Sequence, residues 1–348
     1  MLKHTAAVFL AGLAACATDS QMGDDVGGDD TPPFTEGVSM LSGHADAGYV
    51  DGKRGVARLN NPVGCAYRDG KVYVADFDNS KIRVVDAESG QTSTLISKQG
   101  FQRPFAMVFA PDGTLYVSTD RGPQNEMGPM AGTIWRIDVA ARTATPIAAG
   151  IGRPRGLAFL NGKLVATDYQ NHVVSLVDPV SGAVQPLAGA WQAAGMADAV
   201  GAAAQFNQPY GVVVKDGKLI VADYGNHRLR EVSPDGSVRT LAGAGTAGFA
   251  DGAMTSAKFS HPQGVAITSS GDVYVTDLEN FRVRKVTGDV VTTTGSDDGY
   301  LDADNLLDAQ FHGLEGLCVK PDGSMMFVAD GTRGENVPYN RVRSVKLQ

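Results

Sequence analysis

The chain has 348 residues, of which 43 are glycine and 7% are aromatic, and its formal net charge is −8. Short apolar runs between glycine-rich turns indicate an all-β protein. No internal apolar run reaches the roughly 18 residues of a membrane-spanning helix. Most of the excess acid lies before Gly37, so the rest of the chain is nearly balanced in charge. That balance argues against a broad electrostatic surface for nucleic acid.

The amino terminus is typical of an export signal. Residues 1–15 combine a short polar start with an apolar stretch, Thr5–Ala15, that is too short to span a membrane. The stretch ends in LAAC at Cys16, which resembles the bacterial lipobox, where the cysteine thiol accepts a diacylglycerol. An ordinary signal peptide with an incidental cysteine is the alternative. Ala17 follows the cysteine in place of the Asp that often retains lipoproteins in the inner membrane, so we expect the bacterial outer membrane or cell surface.

Residues 16–36 are acidic, contain glycine and proline, and have few apolar side chains. Such a segment cannot bury enough surface to offset the entropy of ordering, so we expect a flexible tether. Residues 37–348 then form one folded domain.

A repeat of about 50 residues is the strongest pattern in that domain. The segment Phe206–Leu241 is repeated closely at Leu59–Leu95, and further copies begin at Phe101, Gly152, Phe259 and Phe311. Each copy predicts four short strands: one after P-x-G, one ending in Asp, one after an N-H-R-like turn and one after a second turn. A four-stranded sheet of this kind cannot bury both faces alone, and radial packing of several sheets solves that problem.

The P-x-G, Y-V-A-D and N-H-R elements together resemble the NHL-repeat family of β-propellers, over about residues 38–348. The resemblance and the six copies imply a six-bladed β-propeller of four-stranded antiparallel blades. The sixth copy stops after its third strand, while Val38–Gly43 matches the fourth strand at Val238–Gly243. The N-terminal strand is therefore predicted to complete the last blade and close the ring.

One face of the propeller is predicted to carry the function. The resemblance implies that the linkers between blades share a face with the loops between second and third strands. Two of those loops are long, Arg121–Gly132 and Gly331–Tyr339. Binding sites usually lie on such loops. The candidate binding residues on this face are Asn60, Arg103, Arg121, Arg155, Asn207, His261, His312 and Glu315.

The second strand of five copies ends in an acid, at Asp76, Asp168, Asp223, Asp277 and Asp330. These acids could form a ring of carboxylates for a metal or a cationic ligand. Because they recur in nearly every blade, we favour a structural role in which each accepts turn amides or pairs with a following basic residue, at Lys81, Arg228, Arg282 and Arg341.

Histidines and linker acids offer weaker candidates for metal sites. His172 and His227 occupy matching turns, and His261 and His312 occupy matching linker ends, so His261 and His312 are weak candidates for zinc. The segment Asp302–Asp308 superficially resembles a calcium loop but lacks its glycine and distal glutamate, and we interpret it as a linker. We therefore expect no cofactor, with zinc or calcium as the weak alternative.

Cys65 and Cys318 lie on the first strands of blades 1 and 6, which are neighbours in a closed ring. Aligned on Gly64 and Gly316, they differ by one position, so their side chains should point to opposite faces. We expect two buried free thiols rather than a disulfide.

Two functions remain open. The first is a non-catalytic binding or scaffolding module at the cell envelope, monomeric, with a protein or glycan partner. The second, which the resemblance to amidating-lyase and gluconolactonase propellers suggests, is a metal-dependent lyase or lactonase at the channel mouth. We favour the first, because the recognisable residues are mostly the repeated ones.

Overall fold

A computed structural model of the protein describes residues 36–347. The predicted signal peptide, Cys16 and the predicted tether up to residue 35 lie outside the described residues. In residues 36–347, six antiparallel sheets surround a central channel, as the repeat predicts. No helix in this part of the chain is long and apolar enough to cross a membrane.

The strands of the first three blades follow the predicted order from the channel outward. The chain enters through β1 (Val38–His44), which belongs to the last blade. Blade 1 contains β2 (Pro62–Arg68), β3 (Lys71–Asp76), β4 (Lys81–Asp86) and β5 (Thr92–Ile96). Blade 2 contains β6 (Pro104–Phe109), β7 (Leu115–Thr119), β8 (Thr133–Asp138) and β9 (Thr143–Ala149). Blade 3 contains β10 (Pro154–Leu160), β11 (Lys163–Asp168), β12 (Val173–Val177) and β13 (Val184–Ala188).

The last three blades repeat the arrangement. Blade 4 contains β14 (Pro209–Lys215), β15 (Lys218–Asp223), β16 (Arg228–Val232) and β17 (Val238–Ala242). Blade 5 contains β19 (Pro262–Ile267), β20 (Val273–Asp277), β21 (Arg282–Thr287) and β22 (Asp289–Thr294), with the short β18 (Gly252–Ala253) at its outer edge. Blade 6 contains β23 (Leu314–Val319), β24 (Met325–Asp330), β25 (Asn340–Lys346) and, outermost, β1. Short 3-10 turns lie at Gly201–Ala203, Tyr224–Asn226 and Leu278–Asn280.

The N-terminal strand closes the ring as predicted. The strand β1 pairs antiparallel with β25, from Val38 opposite Val345 to His44 opposite Asn340. Leu41 of this strand is fully buried against the core between blades 6 and 1. Both ends of the chain therefore hold one sheet together, and blade 6 has no exposed third-strand edge.

The glycine of P-x-G allows the inner strands to pack tightly around the channel. A Cβ on Gly64 would overlap the carbonyl oxygen of Phe105 in the next blade, and one on Gly316 would lie 2.5 Å from the carbonyl oxygen of Val63. At these two positions a larger residue would push neighbouring blades apart, whereas blade 2 accommodates Ala106 at the equivalent position. The glycine is thus required by the ring and not by turn geometry alone.

The expectation of free thiols is wrong, because Cys65 and Cys318 form a disulfide between blades 1 and 6. The one-position offset does place the two side chains on opposite faces of their own blades. Neighbouring blades in a ring, however, contact each other through opposite faces. The offset therefore brings the two sulfurs together instead of separating them.

The strand-two acids are structural groups buried inside the blades. Four of them form ion pairs of 2.7–3.0 Å with fully buried arginines of the third strand, as Asp76–Arg83, Asp223–Arg230, Asp277–Arg284 and Asp330–Arg343. The predicted basic partners are wrong by two residues. Lys81 lies directly opposite Asp76, but its ammonium lies over the Tyr49 ring, and the longer Arg83 reaches the acid diagonally. Buried charges persist only when they are paired in this way.

The linkers between blades also bind the buried arginines of these ion pairs. A second acid from the linker binds each of the four arginines, namely Asp51, Asp198, Asp251 and Asp302. Asp51 also accepts a hydrogen bond from the backbone amide of Thr94, on the outer strand of its blade. The repeated linker motif therefore fastens each linker to its blade.

Blades 2 and 3 depart from this pattern. In blade 2, Thr119 replaces the acid and Trp135 replaces the arginine, and the Trp135 indole donates a 2.9 Å hydrogen bond to the Thr119 hydroxyl. In blade 3, Ser175 stands at the arginine position, and Asp168 is satisfied by the Asn171 amide and the backbone amide of Arg153. In blade 2 both members of the ion pair are therefore replaced together. In blade 3 only the arginine is replaced, and neighbouring amides bind the acid instead.

Candidate functional site

The six residues at the x position of P-x-G line the narrow part of the channel. They are Val63, Phe105, Arg155, Tyr210, Gln263 and Glu315, and we call them the channel ring. Each precedes the glycine, or Ala106 in blade 2, that fixes the close approach of the inner strands. The cavity between them measures about 70 Å³. Most other motif residues recur from blade to blade, whereas these six all differ, so the channel ring breaks the symmetry of the propeller.

Aromatic rings continue from the channel to its mouth on the face that carries the linkers, which we call the upper face. Adjacent rings of this aromatic arc have centroids 4.5–5.8 Å apart, and its members are Phe77, Phe105, Tyr169, Tyr210, Tyr224 and His261. Phe77, Tyr169 and Tyr224 each follow the strand-two acid of their blade, which places them where the second strand reaches the mouth. Tyr169 and Tyr224 are partly exposed.

Arg155 is the buried cation of the channel ring. It forms an ion pair with Asp120 through both terminal nitrogens, one of them at 3.0 Å, and its guanidinium lies 4.0 Å from the centre of the Phe105 ring. Burial alone would raise the pKa of Asp120, but Arg155 and Arg153 outweigh it and lower that pKa. Burial in turn acts to lower the pKa of Arg155, and Asp120 reverses this effect and raises it. The pair is therefore charged and locally neutral.

Glu315 is the acid of the channel ring and has no such partner. Within residues 36–347, its carboxylate has no hydrogen bond and no ion pair, although Arg155 and Arg333 are close enough to act on it electrostatically. Burial raises the pKa of Glu315 to about 7, and the two arginines only partly oppose this shift. Its charge therefore changes near neutral pH, where small changes in surroundings decide its state.

Two further polar atoms in this region have no partner among the described residues. Gln263 is 2% exposed, and its side-chain oxygen is buried without a hydrogen bond. His261 lies two residues before Gln263, where it stacks against Tyr224 and contacts His227. Its Nδ1 atom also has no hydrogen bond. A buried acceptor without a donor costs free energy, so a group that supplies the donor would be stabilised here.

The structure gathers some of the predicted binding residues and separates others. Arg155 and Glu315 lie in the channel ring, and His261 lies in the aromatic arc. Arg103 covers the Phe77 ring and forms an ion pair with Asp78 at the same mouth. These four form, with the rest of the channel ring and the aromatic arc, the candidate site.

The remaining predicted residues serve mainly to hold linkers in place. The backbone amides of Asn60 and Asn207 donate to the strand-two acids Asp76 and Asp223, at 2.7 and 2.8 Å. Asn60 also lines a separate cleft of about 380 Å³ on the upper face, between blades 6 and 1. Arg121 is partly buried at the start of the long loop of blade 2, where its carbonyl oxygen accepts from Thr119.

His261 and His312 have different partners. The His312 ring is buried beside Asp298, at 2.8 Å, and stacks on Tyr339, whereas His261 packs in the aromatic arc. Asp302, the first acid of the superficial calcium loop, is bound to Arg343. In residues 36–347, no group of three or more His, Cys, Asp or Glu side chains is placed to hold a metal ion.

The channel ring can be recognised in the sequence, but a search for repeated motifs misses it. The repeated residues of the motifs are Asp, Asn and Arg. Their side chains bind one another inside the blades. The variable position between an almost fixed Pro and an almost fixed Gly selects Val63, Phe105, Tyr210 and Gln263 as well as the predicted Arg155 and Glu315. In a symmetric scaffold, the positions that vary are the informative ones.

The fold and the repeated network define a class of protein, a six-bladed β-propeller built from one repeating unit. The family model described as NHL repeat matches residues 206–231 and 259–286, in blades 4 and 5. Together with the six observed blades, this match supports an NHL-repeat β-propeller.

Two curated relatives match across most of the chain. The chain is 27% identical over 296 residues to Protein SUPPRESSOR OF QUENCHING 1, chloroplastic, of Arabidopsis thaliana, which covers 72% of this chain and 27% of the relative. It is 27% identical over 303 residues to NHL repeat-containing protein 2 of Homo sapiens, covering 71% of this chain and 42% of the relative. The chain thus spans less than half the length of these relatives.

A solved structure shares the fold. It is the crystal structure of an auxiliary nutrient binding protein from Bacteroides thetaiotaomicron, with a TM-score of 0.68 and 16% identity, covering 88% of this chain and 75% of that one. Identity at this level establishes the common architecture and nothing more.

Proposed function

We propose that this propeller is a non-catalytic binding module of the bacterial cell envelope that takes a glycan at the upper mouth of its channel. The observation that carries the proposal is the channel ring. The residues that recur between blades are bound to one another, while the six that differ converge on the channel beside the aromatic arc. A single asymmetric ligand needs a single asymmetric site, and the ring and arc provide one.

The chemistry of the mouth suits a polyhydroxylated ligand. The partly exposed rings of Tyr169 and Tyr224 offer apolar faces for the C–H face of a sugar ring. The unpartnered acceptors of Gln263 and Glu315 would receive hydrogen bonds from sugar hydroxyls. A concave, mostly apolar site with a few converging polar groups is typical of small-ligand recognition. A protein partner, the other possibility, would use the same Tyr and Arg side chains as anchors.

The placement at the envelope rests on the sequence of the amino terminus. A signal peptide at residues 1–15, lipid on Cys16 and a tether to residue 36 would hold the propeller outside the membrane. The protein of the same fold named as an auxiliary nutrient binding protein supports ligand binding as a use of this scaffold.

The test is a glycan-binding survey with the full chain purified in detergent. We expect binding to a subset of glycans, and Tyr169→Ala and Tyr224→Ala should each weaken it at least about tenfold. Tyr49→Ala is the control, because Tyr49 is an exposed tyrosine on a linker and outside the aromatic arc, where its ring contacts Lys81. Equal binding by Tyr224→Ala and Tyr49→Ala, or no glycan bound at millimolar concentration, would overturn the proposal.

Metal content distinguishes the alternative function. Stoichiometric zinc or calcium in the purified protein would favour a metal-dependent lyase or lactonase at the same mouth, and would count strongly against a pure binding module. The measurement is elemental analysis of the full chain before and after dialysis against a chelator.

A further inference from the structure

We propose that the narrow part of the channel is a subsite for a primary ammonium group, which Glu315 and Gln263 receive beside the packed rings of Phe105 and Tyr210. This inference deepens the proposed function, on which it rests, because it names one group of the ligand that enters at the upper mouth. It is carried by the cavity, by two unpartnered acceptors and by the aromatic walls.

The cavity has the size of a small substituent. Its volume of about 70 Å³ corresponds to roughly two water molecules at about 30 Å³ each. An aminomethyl group fits that volume, whereas a whole sugar ring does not. The ligand body would therefore remain at the mouth while one arm enters the channel.

Gln263 supplies the first reason to expect a donor. Its side chain is 2% exposed, and its oxygen has no hydrogen bond within the described residues. The amide lines the same cavity as Glu315 and Tyr210. An ammonium group carries three donors and no acceptor. It can therefore donate to this oxygen and has no acceptor atom that would itself be left without a hydrogen bond.

Glu315 supplies the charge. Its carboxylate lines the cavity without an ion pair or hydrogen bond, so an entering cation would gain the interaction that this acid lacks. The two cations that act on this acid already have acidic partners, because Arg155 binds Asp120 through both of its terminal nitrogens and Arg333 forms an ion pair with Glu279. Because both terminal nitrogens of Arg155 bind Asp120, they are not available to bind an anionic ligand.

The walls of the cavity also favour a cation. Phe105 and Tyr210 both line the channel and pack edge to face against each other, with ring centroids 5.6 Å apart at an interplanar angle of 64°. Aromatic faces attract an ammonium group most strongly where water is excluded. Phe105 already accepts the guanidinium of Arg155 on one side at 4.0 Å, which leaves Tyr210 as the main aromatic contact.

The same ammonium chemistry could come from two sources, an amino sugar or a lysine side chain. The probe for the subsite itself is ethylammonium, compared with ethanol and propionate as neutral and anionic analogues of similar size. Binding is measured with the full chain by calorimetry and by saturation-transfer NMR. We expect saturable binding of ethylammonium at pH 8, with ethanol and propionate at least tenfold weaker.

Variants of the two acceptors test the geometry. Glu315→Gln keeps the shape and removes the charge, and Gln263→Leu keeps the bulk and removes the acceptor. Each should weaken ethylammonium at least tenfold, whereas Glu88→Gln, on an exposed turn of blade 1, should leave it unchanged. A thermal melt of each variant confirms that it is folded. Equal affinity for ethanol, or unchanged binding by Glu315→Gln, would overturn the proposal.

Competition identifies the source and separates this inference from the proposed function. Preferential binding of 6-amino-6-deoxyglucose, whose amine is on an aminomethyl arm, over Nα-acetyl-lysine amide would assign the arm to an amino sugar, and the reverse preference would assign it to a protein. Because ethylammonium carries no sugar, its binding survives even if no glycan binds. Loss of ethylammonium binding with retained glycan binding would overturn the subsite alone.

Discussion

Cys65 and Cys318 are joined across the seam between blade 1 and blade 6, at a sequence separation of 253 and with 5.7 Å between their Cα atoms. The same seam lies beside β1, which completes blade 6 from the other end of the chain. The ring is thus closed twice, once by backbone pairing at its outer edge and once by a covalent bond near the channel.

Loss of this disulfide should lower the stability of the domain. A cross-link over so long a loop restricts the unfolded chain, and removal of a native disulfide costs about 2–5 kcal/mol. Cys65→Ser combined with Cys318→Ser should therefore unfold at lower denaturant concentration than the oxidised parent. Thiol titration of the unfolded parent checks the premise, because reduction should expose two additional thiols. If the double variant and the parent unfold together, the bond does not stabilise the closed ring.

Removal of the N-terminal strand should be at least as costly. Val38 and Leu41 are 2% and 0% exposed, and burial of two such side chains contributes about 3–6 kcal/mol. Deletion of Val38–Gly43 should lower the melting temperature markedly, since it also exposes the edge of β25. Deletion of residues 17–35 is the control, because the sequence predicts no packed structure there. An unchanged melt after the first deletion would contradict closure by β1.

The features predicted from sequence are those that depend on one blade alone. Blade number, strand order and the structural role of Asp223 follow from a repeat period and from alternation within strands. The closing strand also follows, because Val38–Gly43 matches another copy. The Cys65–Cys318 bond was missed since it depends on how one blade faces the next, which a single repeat does not encode.

The candidate site was only partly predicted for a related reason. Arg155 and Glu315 were predicted as binding residues of the face that carries the linkers, but Gln263, Phe105 and Tyr210 carry no recognisable motif. Only the radial packing of six inner strands brings them to one channel. The partner of Asp223 was placed at Arg228 instead of Arg230. Arg228 lies directly opposite the acid, but its guanidinium contacts Thr240 and the Ala244 carbonyl, and the buried Arg230 reaches the acid diagonally.

The buried ion pairs predict a sharp contrast between two arginines of blade 4. Arg230 is fully buried and pairs with Asp223, whereas the Arg239 side chain is 61% exposed and pairs with Glu231. Arg230→Met would leave a buried carboxylate unpaired and should cost about 3–5 kcal/mol. Arg239→Met should cost less than about 1 kcal/mol. Denaturant unfolding of the two variants measures the contrast, and similar losses would contradict the assignment.

Blade 2 suggests how such a loss could be repaired. Because Thr119 and Trp135 replace the acid and the arginine there, Asp223→Thr combined with Arg230→Trp should recover part of the stability lost by Arg230→Trp alone. The coupling between the two changes is read from a double-mutant cycle. Additive losses would show that the exchange depends on other residues of blade 2.

Cys16 makes the envelope assignment testable. Expressed in a bacterium with radiolabelled fatty acid, the chain should incorporate label and fractionate with membranes, and Cys16→Ser should abolish both results. The propeller cysteines provide the control, since Cys65→Ser should retain the label. Equal labelling of the parent and the Cys16→Ser variant would exclude the lipidation site.

Glu315 should make the stability of the domain fall as pH rises toward neutrality. In the unfolded chain this carboxyl ionises near pH 4.5, whereas burial raises its pKa in the folded protein to about 7. Between these values the folded state binds more protons than the unfolded state, so stability decreases with rising pH across that window. The full loss, reached above pH 7, is about 3–4 kcal/mol by the conversion of roughly 1.4 kcal/mol per unit.

Glu315→Gln removes this loss. The variant should match the parent near pH 4, where the parent carboxyl is protonated in both states, and should exceed it in stability at pH 8. Denaturant unfolding at both pH values gives the comparison, with Glu88→Gln as the exposed control. The same variant is expected to weaken ethylammonium binding, so one substitution should stabilise the fold and impair the subsite. A parent and variant with parallel pH profiles would show that Glu315 is not a buried, unpaired acid.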